Sequence, residues 1–385
     1  MNLSALKSLA PYGAGLIALI AIMAPKSLAV MLPLLALAIL SRRQFQKWDK
    51  ADFILIALAL WAALSNFSAA AQLSAILLAG IFIWRQSAVF KIDATAESGL
   101  MLGFLAALFV LAFEIATHGL AWRALSGQEY LFNLNVYNRS TSVLALFMWP
   151  WLLLLRRQEV KAPLPLAWAL IAAIIWQLDN ATAKLALASA SIIFVASLYA
   201  PLLLRRLMVI GAVTMIIAAP YLAAHFLNPA AEWTKHLPYS AQYRLHIWQF
   251  ASERIAEKPL TGWGMDRARD IPGGQELFNI APPPGSFEYF VGQPPLKMPL
   301  HPHNASLQIW LELGAMGAVL AAAAFALYAW PRKKYGAFEM AAANAMLVAG
   351  LGMAHLSYGL WQSWWLSAFI VAAFFYSQFA GGKNE

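Results

Sequence analysis

The sequence consists largely of apolar stretches long enough to cross a membrane, separated by mostly short polar connections. Hydrophobic residues make up 61% of the 385 residues and charged residues only 12%, and the mean hydropathy is +0.62. A helix needs about 20 largely apolar residues to span the hydrocarbon core of a bilayer. We therefore predict an all-α polytopic membrane protein with about twelve transmembrane helices. The predicted spans lie near 9–24, 27–41, 52–68, 70–86, 99–118, 140–156, 163–179, 181–200, 206–225, 304–330, 337–357 and 360–379.

Lysine and arginine residues mark one side of the predicted membrane. They cluster in alternate connections, including Arg42 and Arg43, Arg156 and Arg157, Arg205 and Arg206, Arg332 to Lys334, with Lys161 and Lys383 in the same set. Because cytoplasmic loops collect these residues, we predict that both termini are cytoplasmic. The net charge of +9 then reflects topology, so we do not expect nucleic acid as a partner.

One connection is much longer than the others. Residues 226–303 follow the ninth predicted span and fall on the external side, so we divide the chain into helices 1–225, an external subdomain 226–303 and helices 304–385. Long loops within compact proteins commonly carry function. Within this loop, apolar residues at helical spacing from Tyr243 to Ile255 predict an amphipathic helix that Lys258 and Pro259 end.

A polar stripe opens the tenth predicted span. His301 and His303 precede it, and Asn304, Gln308 and Glu312 follow at four-residue steps along one helical face. An imidazole at the water-exposed end of such a stripe can act as a general base, which makes His303 the candidate catalytic residue. For Gln308 and Glu312, hydrogen bonds between helices are an equally weighted interpretation. In the same span, Gly314 and Gly317 are expected to allow close helix approach.

Three isolated cations fall on the external side, where the basic bias is weak. Arg139, Lys184 and Arg244 could together bind an anion such as a phosphate or diphosphate. Lipid headgroup binding or helix capping is the alternative for each of them, above all for Lys184. Trp248, one turn beyond Arg244, could stack on a sugar ring.

The sequence offers little support for a metal or a cofactor, and we expect neither. It contains no cysteine, which excludes thiolate chemistry and zinc–thiolate sites. The carboxylates of Asp266, Asp270 and Glu276 are loosely spaced, and the His301-Pro-His303 pair has no close third ligand.

Two segments together resemble the paired signature of the O-antigen ligase and O-antigen polymerase superfamily. They read YRLHIWQFASERIAEKPLTGWG and HPHNASLQIWLELGAMG, and YNRSTSVLALFMWP resembles the start of the middle spans in the ligase branch. The resemblance covers about residues 137–317. It implies a GT-C-like membrane glycosyltransferase of the bacterial inner membrane with a periplasmic active site.

The family's activity is glycan transfer from undecaprenyl diphosphate to a hydroxyl acceptor, which is lipid A-core in the ligase branch. By resemblance, His303 would be the catalytic base of a metal-independent, inverting reaction, with Arg244 and Arg139 on the diphosphate. Lys184 stands where relatives usually have arginine, which loses the bidentate fork. Asn304, Trp248 and His301 would contact substrate, and Gln308 and Glu312 would support them. A polymerase that joins repeat units is the alternative enzyme, and a twelve-span transporter is the alternative from another class.

Overall fold

The computed structural model describes residues 3–40, 47–87, 89–127, 133–159, 164–278, 295–331 and 335–380. Several basic residues of the predicted cytoplasmic side lie outside these ranges, namely Arg42, Arg43, Lys161, Arg332, Lys333, Lys334 and Lys383. Residues 279–294 of the predicted external subdomain also lie outside them.

Fourteen α-helices account for nearly all regular structure in the described ranges. They are α1 (Leu3–Met23), α2 (Leu28–Leu40), α3 (Lys50–Ser65), α4 (Phe67–Gln86), α5 (Ala94–Ala116), α6 (Leu120–Ser126), α7 (Asn138–Arg157), α8 (Leu164–Gln177), α9 (Ala181–Tyr199), α10 (Pro201–Phe226), α11 (Tyr239–Glu257), α12 (Ala305–Ala329), α13 (Ala337–Leu356) and α14 (Ser363–Phe379). Each predicted span coincides with a helix, and α6 and α11 are additional. The chain is an all-α membrane protein.

Six of these helices are long and apolar enough to cross a membrane by themselves, namely α4, α5, α9, α10, α12 and α13. A bent pair within α1 and α2, Tyr12–Met23 and Pro25–Ile39, turns through 117° and adds a seventh if the pair forms one span. Other helices that coincide with predicted spans, such as α8 with 14 residues, are shorter. The count of twelve transmembrane helices therefore stays a prediction.

Helix α12 is broken at Gly314, where φ is +64°. The turn of residues 259–264 lies against this break and replaces the missing hydrogen bonds of the helix. Backbone N–H groups of the turn donate to one half of α12 and N–H groups of the other half donate to the turn: Trp263 N to Leu311 O (2.8 Å), Gly264 N to Glu312 O (2.9 Å) and Ala315 N to Pro259 O (2.8 Å). The turn and both halves of α12 thus form one hydrogen-bonded unit.

Glycines permit this contact. A Cβ atom on Gly314 would lie 2.4 Å from the backbone of Leu260, and one on Gly262 would lie 2.5 Å from the backbone of Glu312. We expected Gly314 to allow close approach of another helix, but its partner is the turn. A Cβ on Gly317 would lie 2.2 Å from the side chain of Leu313 in its own helix. The two segments of the predicted signature therefore meet at the backbone.

Helix α11 packs with its apolar face on the ends of α10 and α12. Ile247, Phe250 and Ala251 are buried in a cluster with Ala219 of α10 and Leu307 of α12. Burial of this face, as expected from its helical spacing, orients the opposite surface of α11 away from the core. We call this end of the helix bundle the α11 end.

A proline in α10 supplies a further anchor for α12. Pro220 has no N–H, so the carbonyl oxygen of Ile216 one turn earlier has no helical partner. The indole Nε1 of Trp310 donates to that oxygen at 2.7 Å. This bond fixes the segment of α12 that carries the polar stripe.

Candidate active site

His301 and His303 lie side by side at the start of α12. Their ring centroids are 4.3 Å apart, and the backbone N–H of His303 donates to Nδ1 of His301 at 3.2 Å. His303 has a φ of +55°, which is uncommon for a residue other than glycine and recurs at functional sites. Its Nδ1 lies 2.5 Å from the carbonyl oxygen of Ser357. Because a carbonyl only accepts, Nδ1 carries the hydrogen and the neutral ring has its free lone pair on Nε2.

Both imidazoles are held in the neutral form. Burial lowers the pKa of His303 to about 4; the Ser357 carbonyl opposes this shift and the charge of Arg244 adds to it. Burial first, then the charges of His303, Arg244 and Arg269, lower the pKa of His301 to about 3. At neutral pH His303 is therefore able to accept a proton.

Helix α11 contributes a cation beside the two histidines. Trp248 Nε1 donates to the carbonyl of Pro302 at 2.9 Å, which fixes α11 against the histidine segment. Arg244, one turn earlier, donates from Nη1 to Ser240 O at 2.8 Å, whereas its buried Nε has no hydrogen-bond partner among the described residues. Burial lowers the pKa of Arg244, and no described carboxylate forms an ion pair with it. A guanidinium with a free donor thus lies close to His303.

The connection between α13 and α14, residues 357–362, contacts His301, His303, Gln308 and Glu312 of the polar stripe; we call it the connector. Besides the Ser357 carbonyl on His303, Leu360 N donates to Gln308 Oε1 at 2.8 Å. Trp361 Nε1 donates to Glu312 Oε2 at 2.6 Å. The His301 ring packs on Gly359, where a Cβ would lie 2.8 Å from His301 Cδ2. None of the sequence patterns described above predicts a role for the connector.

Glu312 and Asn304 have local structural partners. Glu312 is fully buried and accepts hydrogen bonds from Asp266 N (2.6 Å), Gln308 Nε2 (3.1 Å) and Trp361 Nε1. None of these bonds goes to an imidazole. Asn304 caps α12, since its Oδ1 accepts from Leu307 N at 3.1 Å. The bond from Trp361 nevertheless links Glu312 to the connector that contacts His303.

Arg139 lies near the connector, at the exposed start of α7. The hydroxyl of Tyr358 donates to the carbonyl of the preceding residue, Asn138, at 3.1 Å. Burial raises the pKa of that hydroxyl, and the nearby charge of Arg139 is among the effects that oppose the shift. The structure thus brings Arg139 to the connector that holds His303.

Lys184 has a different environment. Asn180, which caps the start of α9, joins the same region by donating from Nδ2 to Asn138 O at 2.8 Å. However, Lys184 Nζ lies 5.5 Å from the ring centroid of Trp176. Within the described ranges, no hydrogen bond or ion pair links its side chain to the other predicted site residues.

The carboxylates of Asp266, Asp270 and Glu276, which could be considered as metal ligands, have cationic partners in the structure. Asp266 pairs with Arg269 at 3.1 Å and Asp270 with Arg267 at 3.6 Å. Glu276 pairs with Lys297 at 2.7 Å, and this bond lowers its pKa. Each of the three carboxylates therefore already has a cationic partner within the described ranges.

An apolar cavity of about 500 Å³ begins directly beside the histidine segment. Its walls at the α11 end include Ala305, Ser306 and His355, and it continues between α12 and α13 to Tyr328 and Arg205 at the opposite end. His355 Nε2 lies 2.8 Å from Ser306 Oγ. Apart from these few polar groups, aliphatic and aromatic side chains line the cavity.

Comparison with known proteins points to one family. The O-antigen ligase family profile matches residues 134–322, which contain α7 to α11 and most of α12. A Rickettsia conorii protein named "Putative polysaccharide ligase" is 26% identical over 295 residues, 74% of this chain and 67% of the relative. Proteins of the same name from Rickettsia felis (26% over 278 residues, 71% and 64%) and Rickettsia bellii (25% over 279 residues, 71% and 65%) are similar. No solved structure matches.

The matches extend over about two thirds of the length of these relatives. The residues that the family profile matches include both signature segments, the histidine pair and the interlocked break of α12. Residues 134–322 thus match the O-antigen ligase family, and the relatives named as polysaccharide ligases support its ligase branch.

Proposed function

We propose that this protein is a membrane glycosyltransferase that moves a glycan from undecaprenyl diphosphate to a hydroxyl acceptor. Lipid A-core is the acceptor we favour, so the reaction would be O-antigen ligation in lipopolysaccharide biosynthesis. One observation carries the proposal. A neutral imidazole with its lone pair on Nε2 lies beside a partly buried guanidinium that forms no ion pair with a described carboxylate. A base and an anion site are the two groups that this transfer requires.

In the proposed reaction, the acceptor oxygen attacks the anomeric carbon of the glycan. His303 Nε2 takes the hydroxyl proton as the new C–O bond forms, and the bond to the diphosphate breaks with inversion. The electron pair leaves with the diphosphate, whose growing negative charge Arg244 and Arg139 stabilise. General-base assistance of this kind contributes about a hundred- to ten-thousand-fold to the rate. The reaction as written requires no metal.

The remaining site residues would bind or support the substrate. Trp248 would stack on a sugar, and His301 and Asn304 would complete the pocket. Gln308 and Glu312 would hold the connector that orients His303. Lys184 would make a smaller contribution, because its ammonium group lies over Trp176.

The cavity beside the histidines supports a lipid-linked donor. An isoprenoid chain is flexible and apolar, so a cavity of about 500 Å³ with aliphatic and aromatic walls suits part of it. In that arrangement the diphosphate of the donor would lie at the α11 end, close to Arg244. A transporter for polar solutes would not be expected to bind such a lipid chain, so the cavity favours the transferase over the transporter.

The proposed topology places this chemistry on the periplasmic face of the bacterial inner membrane. It comprises twelve transmembrane helices in a GT-C-like arrangement, with both termini cytoplasmic. The proposed division remains 1–225, 226–303 and 304–385. The alternation of basic clusters supports this orientation.

Complementation of a deletion strain tests the function. His303→Ala and Arg244→Ala should insert at normal levels but fail to attach polymer to lipid A-core on lipopolysaccharide gels. Arg267→Ala is the matched control, because this arginine at the same end is exposed and pairs only with Asp270 in the described ranges. A full polymer ladder with either active-site variant would refute the mechanism.

The lipid-linked species that accumulates in the deletion strain separates the alternatives. Long chains on the carrier indicate a ligase, whereas single repeat units indicate a polymerase. Glycan transfer by purified protein in detergent, where no compartment exists, would exclude the transporter.

A further inference from the structure

Tyr358 connects the candidate base to a distant helix. Its hydroxyl donates to Asn138 O at 3.1 Å and lies 3.0 Å from Ser142 Oγ, both in α7. Asn180, which precedes α9, donates to the same two oxygens, at 2.8 and 3.0 Å. The hydroxyl therefore joins a hydrogen-bonded cluster that three separate parts of the chain form.

The position of Tyr358 determines the position of the carbonyl on His303. The Ser357 carbonyl and the Tyr358 N–H belong to one planar peptide unit, so neither can shift without the other. The Tyr358 ring packs against Trp364 and Trp365, with centroids 4.8 and 5.4 Å away. Ring packing and the hydroxyl thus fix this peptide from two directions.

We propose that Tyr358 is a positioning residue for His303, a role that rests on the proposed function. Its hydroxyl ties the connector to α7, so that the Ser357 carbonyl keeps the hydrogen on Nδ1 of His303 and the lone pair on Nε2. Because Arg139 lies in the first turn of the same helix, the hydroxyl also fixes the base relative to this cation. Such a link matters because small errors in placement reduce the rate strongly.

The other groups around His303 do not replace this link. His301 accepts from the backbone N–H of His303, not from its ring. The charge of Arg244 acts on the protonation of both histidines, and that of Arg269 on the protonation of His301. Neither charge determines which ring nitrogen carries the hydrogen. Among the described contacts, the Ser357 carbonyl is the group that selects the tautomer.

Tyr358→Phe is the direct test, because it keeps the ring and removes only the hydroxyl. The control is Tyr243→Phe, which removes a hydroxyl bond of the same kind, to Leu296 O at 2.7 Å, without touching the connector. The full-length protein is labelled with ¹⁵N-histidine in phospholipid vesicles. Comparison with His303→Asn assigns the signals of His303.

In the parent protein and in Tyr243→Phe, we expect a single His303 tautomer with hydrogen on Nδ1 down to about pH 5. In Tyr358→Phe, we expect both tautomers, because the Ser357 carbonyl no longer holds the hydrogen on Nδ1. Identical His303 spectra in all three proteins would overturn the proposal. This measurement does not depend on any enzymatic activity.

Transfer kinetics supply the second measurement. Tyr358→Phe should lower kcat about tenfold, with a smaller change in the donor KM. Unchanged kinetics in Tyr358→Phe, alongside an inactive His303→Ala, would refute the positioning role and leave the proposed function intact. Full activity of His303→Ala would refute the proposed function, and the spectra would still decide the tautomer.

Discussion

Replacement of Gly314 by alanine should destabilise the protein more than any ordinary glycine substitution. The positive φ alone costs an alanine about 1–2 kcal/mol. The new Cβ would also lie 2.4 Å from the backbone of Leu260, so the turn of residues 259–264 must move away. Loss of two or three of the backbone hydrogen bonds between turn and helix adds about 1 kcal/mol each. We expect a total of about 3–5 kcal/mol.

Two other glycines separate these contributions. Gly127 has a φ of +68° but no atom within 4 Å of the position that a Cβ would take, so Gly127→Ala measures the backbone strain alone. Gly211 lies within α10 with neither feature, and Gly211→Ala should stabilise by about 0.5–1 kcal/mol. The three variants are unfolded in the same detergent, once by heat and once by SDS. Tryptophan fluorescence follows the unfolding and ranks their stabilities. If Gly314→Ala proved no less stable than Gly127→Ala, the interlock of turn and helix would be refuted.

Three further predictions concern the site. The kcat/KM of transfer should stay level down to about pH 5, because the pKa of His303 is lowered to about 4 and the ring stays neutral above it; a fall centred near pH 6.5 would contradict this. Glu312→Gln should destabilise by about 1–3 kcal/mol in the same unfolding assay, because one side-chain oxygen cannot accept from three surrounding donors; an unchanged midpoint would contradict that count. Lys184→Ala should reduce transfer less than tenfold, whereas Arg244→Ala should abolish it; equal losses would place Lys184 on the diphosphate.

The positions of the helices could be predicted from the sequence for a simple reason. Apolar runs near 20 residues have few alternatives to a membrane helix, and each predicted range coincides with a helix in the structure. The break in α12 could not be predicted, because residues on both sides of Gly314 continue the same apolar pattern. Its cause is the turn of residues 259–264, which is distant along the chain.

The candidate site likewise contains residues that could be predicted from the sequence and residues that could not. His303, Arg244 and Trp248 are side chains with distinctive chemistry, and the structure brings them together. The connector could not be predicted because it acts largely through backbone groups, the Ser357 carbonyl and the Leu360 N–H, which every sequence supplies. Lys184 appeared equivalent to Arg139 by charge, but only contacts reveal that its ammonium group lies over an indole.

The interlock between the turn and the broken helix also governs how this protein can be recombined with its relatives. Chimaeras that exchange residues 226–303 alone would combine a foreign turn with a native break at Gly314, and each half-helix would lose its matched backbone neighbour. Exchange boundaries placed after residue 317 would transfer both pieces together. Crossover points for domain shuffling in this family should therefore lie within the second half of α12.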